Sequence, residues 1–185
     1  ERKLEKTYYK FNAFKKLFPF YASIGVVFLI LLVYQIISGI KFHNSIFKLI
    51  YILALIGFII HTLWLALRWY VSGHAPMSNG YESMIFISWV TMLAGFIYYK
   101  RTPFALSSTL VLASLTLMVA NLSFMDPEIT NLVPVLKSYW LTIHVSVITA
   151  SYGFLGLGFI LGLINLIMFA LKRENNKQRI DDSVK

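Results

Sequence analysis

The stretch that decides the fold is Trp140–Leu171, which reads WLTIHVSVITASYGFLGLGFILGLINLIMFAL. It is the longest apolar run in the chain, with 32 residues and no Asp, Glu, Lys or Arg, and Lys172 and Arg173 follow it directly. A helix of that length extends over roughly 48 Å at about 1.5 Å per residue, which exceeds the roughly 30 Å hydrocarbon core of a bilayer. The run therefore predicts a helix that crosses a membrane and projects beyond it.

The projecting part of this helix carries His144. Lys172 and Arg173 are typical of a helix end at a membrane surface, so about 20 residues of span reach back only to about Ser151. His144 then lies roughly 10 Å outside the hydrocarbon core. We expect an imidazole at this position to be accessible to a ligand.

Four further apolar segments cover residues 17–38, 49–67, 84–99 and 104–122. The 84–99 segment is short, but we count it as a span because Ser83, Tyr98 and Tyr99 extend it and a polar loop is not stable in lipid. Together with 140–171, the pattern predicts an all-α, polytopic transmembrane helical bundle of about five spans over residues 17–171. A basic juxtamembrane segment, 1–16, precedes the bundle, and a basic polar tail, 172–185, follows it.

The composition agrees with a membrane protein, since the mean hydropathy is +0.69, 58% of residues are hydrophobic and 14% are charged. The net charge of +9 does not indicate nucleic acid, because 11 of the 17 Lys and Arg residues lie in the two flanks. The chain has no cysteine, which excludes thiolate metal sites and redox thiol pairs. Ligand chemistry therefore depends on four histidines. A start at Glu1 without a signal-peptide pattern indicates part of a longer polypeptide.

The charges alone leave the orientation open. Alternating connections put 8 basic residues on the side of 1–16, 68–83 and 123–139, and 9 on the other side. If 1–16 is set aside as a junction within a larger chain, the count becomes 2 against 9, and the 68–83 and 123–139 loops face outward. In either orientation two spans separate the His74 loop from the loop that leads to His144, so we expect both at the same membrane face.

The densest polar cluster of the chain is the 68–83 segment, for which two interpretations are open. Gly73 and Pro76 are predicted to end the second helix, and Asn79 with Glu82 to cap the third. In the structural interpretation these caps, with Arg68 as an interfacial anchor beside Trp69 and Tyr70, account for the segment. His74 is not needed for capping, which favours a binding role.

The same two kinds of interpretation apply to the histidines. A structural His144 would only form a hydrogen bond with a neighbour at the membrane interface. At about 100° per residue, however, it shares a helix stripe with Lys137, Trp140, Ser151, Gly158 and Gly162, which suits a packed helix or a flat cofactor. His61 lies within the second span, and we expect it to be neutral and bonded to a backbone carbonyl or a hydroxyl of another helix. We expect His43 to be an ordinary interfacial residue.

Three motifs carry a family resemblance: RWYVSGHAPMSNGYES at 68–83, VPVLKSYWLTIHV at 133–145, and Ser151-Tyr152-Gly153. With this separation between apolar spans they resemble the CcsA family, the membrane subunits of system II cytochrome c biogenesis, which also occur fused to CcsB as CcsBA. The resemblance covers roughly residues 49–171. Tyr81, together with Gly73, Pro76, Asn79 and Glu82, belongs to its structural motif.

The resemblance implies a function in haem delivery. Members of the family are understood to move haem b to the outer face of the bacterial inner membrane and attach it to the CxxCH motif of apocytochrome c. His144 matches the first of two external histidines that bind the haem iron. The family's WWD motif and second external histidine are missing here and are expected after Lys185. The implied partners are the rest of CcsA, CcsB, apocytochrome c and a thioredoxin-like thiol reductant.

From the residues themselves we add that Trp140 is placed to pack on the porphyrin, and that Lys137 or Arg68 can pair with the haem propionates. His74 belongs to the same outer vestibule. Two other functions stay open at this point: a haem permease or channel without attachment chemistry, and a structural membrane subunit. No nucleophile with its base and no carboxylate pair is found, so hydrolytic chemistry is not expected.

Overall fold

The computed structural model describes residues 8–74, 77, 79–122, 125, 127–129, 138–173 and 175–184. This part of the chain forms helices and connections, with no strand among its residues. The helices are α1 (Ala13–Ser38), α2 (Asn44–Ser72), α3 (Gly80–Tyr98), α4 (Pro103–Ala120), α5 (Tyr139–Ala170) and α6 (Lys177–Val184). One further helical turn, Tyr8–Phe11, precedes Asn12, which has a φ of 42° and separates it from α1.

The helix ends near the polar loop follow the local chemistry of the sequence. Gly73 ends α2 in the left-handed conformation, with a φ of 69°, and its N–H donates to the Trp69 carbonyl. Asn79 begins α3, because its side-chain oxygen accepts the backbone N–H of Glu82 at 2.8 Å. The predicted roles of Gly73 and Asn79 are confirmed. Pro76 lies outside the described residues.

The helices α3 and α4 form the centre of the bundle, and α1 and α5 pack against them. Close approach depends on glycine at two places. A Cβ added at Gly25 of α1 would lie 2.8 Å from the Leu110 Cβ of α4, and one added at Gly153 of α5 would lie 2.8 Å from the Thr91 hydroxyl oxygen of α3. Large apolar side chains remain exposed on α1, α2 and α5, as expected for faces that contact lipid.

Five helices are long and apolar enough to cross a membrane, which confirms the predicted all-α polytopic bundle. Their bounds differ in detail from the apolar runs, since α2 begins at Asn44 and α3 at Gly80, where capping rather than hydrophobicity decides the start. The polar tail contains the short helix α6, which the sequence did not predict. Lys172 forms an ion pair with Asp181 of α6, and Arg179 donates to the Ile37 carbonyl at the end of α1.

Candidate functional site

His144 and Trp140 lie one turn apart on α5 and share an exposed face. The Trp140 side chain is 75% exposed, and the His144 side chain is also exposed. Within the part of the chain that the structure describes, no protein group forms a hydrogen bond with the His144 imidazole. Both ring nitrogens are thus available to a ligand, and the exposed indole of Trp140 belongs to the preceding turn of the same helix.

The same face stays open further along α5. A Cβ added at Gly158 or Gly162 would meet no atom within 4 Å, and Ser151 is exposed. The packed face of α5 is a different one, since a Cβ added at Gly153 or Gly156 would lie 2.8 Å from Thr91 or 2.6 Å from Leu112. The glycines singled out from the sequence therefore do not carry the helix packing seen within this chain.

The loop between α2 and α3 meets α5 close to His144. The Oγ atom of Ser146 lies 3.2 Å from the Sδ atom of Met77. This contact places Met77 and the His144 end of α5 at the same end of the bundle, as the count of spans predicts. Residues two apart on a helix differ by about 200° in direction, so the loop contacts one side of α5 while the imidazole points to another.

His74 follows the C-terminal Gly73 of α2 and is half-buried. Its backbone carbonyl accepts a hydrogen bond of 3.0 Å from the Ser72 hydroxyl. The structure thus places His74 in the loop that contacts α5.

Arg68 is the centre of a buried polar cluster at this end of the bundle. Its side chain is fully buried, and its Nε donates to the Glu82 carboxylate at 3.0 Å, with both side chains almost completely removed from solvent. Its Nη1 donates to the Tyr8 hydroxyl at 3.0 Å and to the Pro127 carbonyl at 2.8 Å. Its Nη2 donates to the Glu128 carbonyl at 3.4 Å. The guanidinium therefore links α2, α3, the N-terminal segment and the 127–129 segment.

Aromatic rings enclose the same guanidinium. The Tyr81 ring centroid lies 4.9 Å from the Arg68 Cζ atom, and the Tyr8 ring centroid lies 5.8 Å from it. Both tyrosines are buried, so the cation faces π-systems in surroundings that exclude water, where such contacts are strongest. Tyr9 also joins the N-terminal segment to the 127–129 segment, because its hydroxyl accepts the Ile129 backbone N–H at 2.7 Å.

The interpretation of Arg68 as an interfacial anchor is wrong, because the side chain lies in the protein interior rather than at the surface. Trp69 and Tyr70 are exposed and fit that interpretation, at 57% and 68%. The contact of Arg68 with a haem propionate stays a prediction, and in this structure protein groups enclose the guanidinium. Lys137, the other candidate for that contact, lies outside the described residues.

His61 has a structural environment. Its Nε2 lies 3.1 Å from the Ile85 carbonyl oxygen and its Nδ1 lies 3.5 Å from the Tyr21 hydroxyl, which are the two kinds of partner predicted for it. The side chain is fully buried, with the Phe14 ring 5.3 Å away. His43 is the N-cap of α2, since its Nδ1 accepts the Ser45 backbone N–H at 3.2 Å.

Three contributors to this end of the bundle were missed from the sequence: Tyr8, Met77 and Ser146. Tyr8 and Tyr9 stand out as aromatic residues within a basic segment, which was a usable signal for burial. The Met77–Ser146 contact has no local signature, because it joins residues 69 positions apart. The carbonyls of Pro127 and Glu128 are backbone groups, whose use as acceptors does not depend on residue type.

The exposed His144 imidazole is a donor of the kind that a haem iron accepts. No group of three or more His, Asp or Glu side chains that could hold a metal occurs among the described residues. A haem iron already has four porphyrin nitrogens, so a single exposed imidazole is adequate as a protein ligand.

Comparison with known proteins agrees with these features. A family model described as Cytochrome C assembly protein matches residues 77–185, which is more than half of the chain. The protein NrfI of Wolinella succinogenes is 57% identical over 122 residues, covering 66% of this chain and 14% of NrfI. The cytochrome c biogenesis protein CcsA of Prochlorococcus marinus strain MIT 9312 is 38% identical over 160 residues, covering 81% of this chain and 51% of that protein.

A further CcsA protein, from Chlorella vulgaris, is 39% identical over 111 residues, covering 58% of this chain and 35% of that protein. The chain thus spans about half the length, or less, of the relatives described here. The five apolar helices and these relatives identify a multi-pass membrane protein. The match over residues 77–185 includes α3, α4, α5 and the His144 face, and the chain belongs to the cytochrome c assembly protein family, that of the CcsA proteins.

Proposed function

We propose that this chain is part of a membrane cytochrome c synthase, which delivers haem b to the outer face of the bacterial inner membrane and supports its attachment to the CxxCH motif of apocytochrome c. His144 is the external axial ligand of the haem iron in this proposal. The observation that carries it is the exposed His144 imidazole, which has no hydrogen-bond partner in the described part of the chain and lies one helical turn after the exposed Trp140.

The chemistry of the exposed face supports this assignment. An imidazole nitrogen binds ferric or ferrous iron, and iron is the electrophilic centre that haem supplies when it is bound. Trp140 lies one turn from His144, so its indole can pack on a porphyrin held by the imidazole. Further along the same helix, a Cβ added at Gly158 or Gly162 would meet no atom within 4 Å, so another helix can approach α5 closely there.

Further partners are part of the proposal. The remaining half of a family-length protein supplies the second axial histidine and the WWD motif, and CcsB is fused to it or separate. Apocytochrome c accepts the haem, and a thioredoxin-like reductant keeps its thiols reduced. The outward orientation of the 73–79 loop and of His144 is also proposed, because charge counting supports it only when 1–16 is set aside.

The test is cytochrome c maturation in cells that depend on the full-length protein. His144→Ala should abolish maturation, and imidazole added to the medium should restore part of it by replacing the missing ligand. His43→Ala is the matched control, since His43 is exposed in the connection between α1 and α2, and this variant should mature cytochrome c normally. Normal maturation by His144→Ala would exclude the proposed role.

A haem permease or channel predicts a different result in the same cells. If attachment is performed elsewhere, His144→Ala would reduce haem supply, and exogenous haem outside the membrane would restore maturation without imidazole. If the chain is a structural subunit, neither His144→Ala nor His74→Ala should change maturation once the amount of protein in the membrane is taken into account.

A further inference from the structure

We propose that Arg68 is a positioning residue that holds Met77, in the connection between α2 and α3, against Ser146 at the end of α5 that carries His144. The contacts that carry this inference are independent of haem. Its consequence for ligand binding rests on the function proposed above.

The ion pair between Arg68 and Glu82 ties together the two ends of the loop. Arg68 lies four residues before the end of α2, and Glu82 lies two residues after the start of α3. A bond of 3.0 Å between them fixes the distance between the helix ends that the seven residues of the 73–79 loop connect. The left-handed Gly73 and the Asn79 cap then set the directions in which the chain leaves α2 and enters α3.

The loop held in this way reaches α5 through Met77. Its Sδ atom lies 3.2 Å from the Ser146 Oγ atom, two residues from His144. Met77 packs on a different side of α5 from the imidazole, so a displacement of Met77 acts on His144 through the support of this end of the helix. The ion pair and the Met77 contact are successive links from the buried guanidinium to the end of α5 that carries His144.

The remaining donors of Arg68 hold a second segment at the same end. Nη1 and Nη2 reach the carbonyls of Pro127 and Glu128, in the connection that leads from α4 to α5. A guanidinium presents five N–H donors in a rigid plane, whereas a lysine ammonium is a point charge on a flexible stem. Lysine at position 68 keeps the positive charge but cannot form all of these hydrogen bonds at once. The Arg68→Lys variant therefore distinguishes the effect of the hydrogen bonds from the effect of the charge.

A cysteine cross-link reports the position of the loop directly. The 185 residues contain no cysteine, so Met77→Cys and Ser146→Cys together add a reporter pair to this part of the protein, and the full-length protein without these two substitutions is the control for any cysteine elsewhere. A short bifunctional thiol reagent should join them when Arg68 and Glu82 are intact. Arg68→Lys and Glu82→Gln should each lose the cross-link, while Arg101→Lys, at an exposed position before α4, should retain it.

The haem spectrum reports the consequence for His144. In membranes with equal amounts of folded protein, Arg68→Lys should lose much of the His144-dependent haem band, and added imidazole should restore it. Tyr8→Phe is a milder variant, which removes one acceptor of Arg68 and leaves the ion pair in place. It should give an intermediate loss of cross-linking if the stronger variants do not fold.

Persistence of the cross-link in the Arg68→Lys, Glu82→Gln and Tyr8→Phe proteins would overturn the proposal. So would a lost cross-link combined with an unchanged haem band, since the loop would then not affect His144. If the unsubstituted protein shows no His144-dependent haem band, the proposed function fails. The cross-linking comparison still decides whether Arg68 positions the loop.

Discussion

Gly153 of α5 lies against Thr91 of α3, so that a Cβ added to the glycine would be 2.8 Å from the Thr91 hydroxyl oxygen and 3.3 Å from its backbone nitrogen. The second distance involves the backbone, which cannot rotate away. A side chain at position 153 would therefore force Thr91 or the helices to shift where α5 packs on the centre of the bundle, and the opposite, His144-bearing face is left open by the same arrangement.

We expect Gly153→Val to destabilise the bundle by about 1–3 kcal/mol, the usual cost of forcing extra atoms into a packed contact. Gly158→Val is the matched control, because it makes the same change on the same helix where an added Cβ meets nothing within 4 Å. Thermal unfolding of the 185-residue chain in detergent measures the difference. Equal unfolding temperatures for the two variants would contradict the packing described for α5.

Glu82→Gln should be severely destabilising, by about 3–5 kcal/mol, because it leaves the buried Arg68 charge without its counter-charge. The double variant Arg68→Met/Glu82→Gln should be less destabilised than the sum of the single variants, since it removes both charges. Denaturation of all three proteins in the same detergent supplies this comparison.

The control for the buried pair is the ion pair between Lys172 and Asp181, whose side chains are 26% and 39% exposed. Because pairs exposed to this extent contribute at most about 1 kcal/mol, Asp181→Asn should have a small effect. If Glu82→Gln lowers the free energy of unfolding no more than Asp181→Asn does, the Arg68 guanidinium is not buried in the way described above.

His61→Phe tests whether the intramembrane histidine is structural. Its removal leaves the Tyr21 hydroxyl without the imidazole in the bundle interior, which should cost about 1–3 kcal/mol. The haem absorption band of the full-length protein should not change, because His61 binds protein groups through both ring nitrogens. Loss of haem at unchanged stability would assign His61 to ligand binding instead.

The orientation can be tested with single cysteines, since the chain has none of its own. Tyr139→Cys, at the start of α5, should react with a membrane-impermeant thiol reagent applied from outside, because this position is 76% exposed and lies at the His144 end. Ile40→Cys, in the connection between α1 and α2, is 53% exposed and should react only after the membrane is permeabilised. The reverse pattern would place His144 on the inner face.

Hydrophobic runs and capping residues predicted much of the fold. The run at 140–171 has the same length, 32 residues, as α5, and Gly73 and Asn79 correctly indicated the ends of α2 and α3. The environment of His61 was also predictable, because a buried neutral imidazole requires a hydrogen-bond partner.

The role of Arg68 was not predictable from the local sequence. Next to Trp69 and Tyr70 it has the pattern of an interfacial anchor, and its burial depends on partners up to 60 residues away, such as Tyr8 and the Glu128 carbonyl. The stripe containing Gly158 and Gly162 shows the same limit. Helical periodicity predicts which residues share a face. It does not predict which of two faces with small residues packs against the neighbouring helix.

The central claim is that His144 is an axial ligand of haem, and the absorption spectrum of the purified full-length protein tests it most directly. We predict that His144→Ala loses the haem band and that titration with imidazole restores it with a changed position, whereas His43→Ala keeps the band without imidazole. A haem band in His144→Ala that equals that of the unsubstituted protein and does not respond to imidazole would contradict the claim.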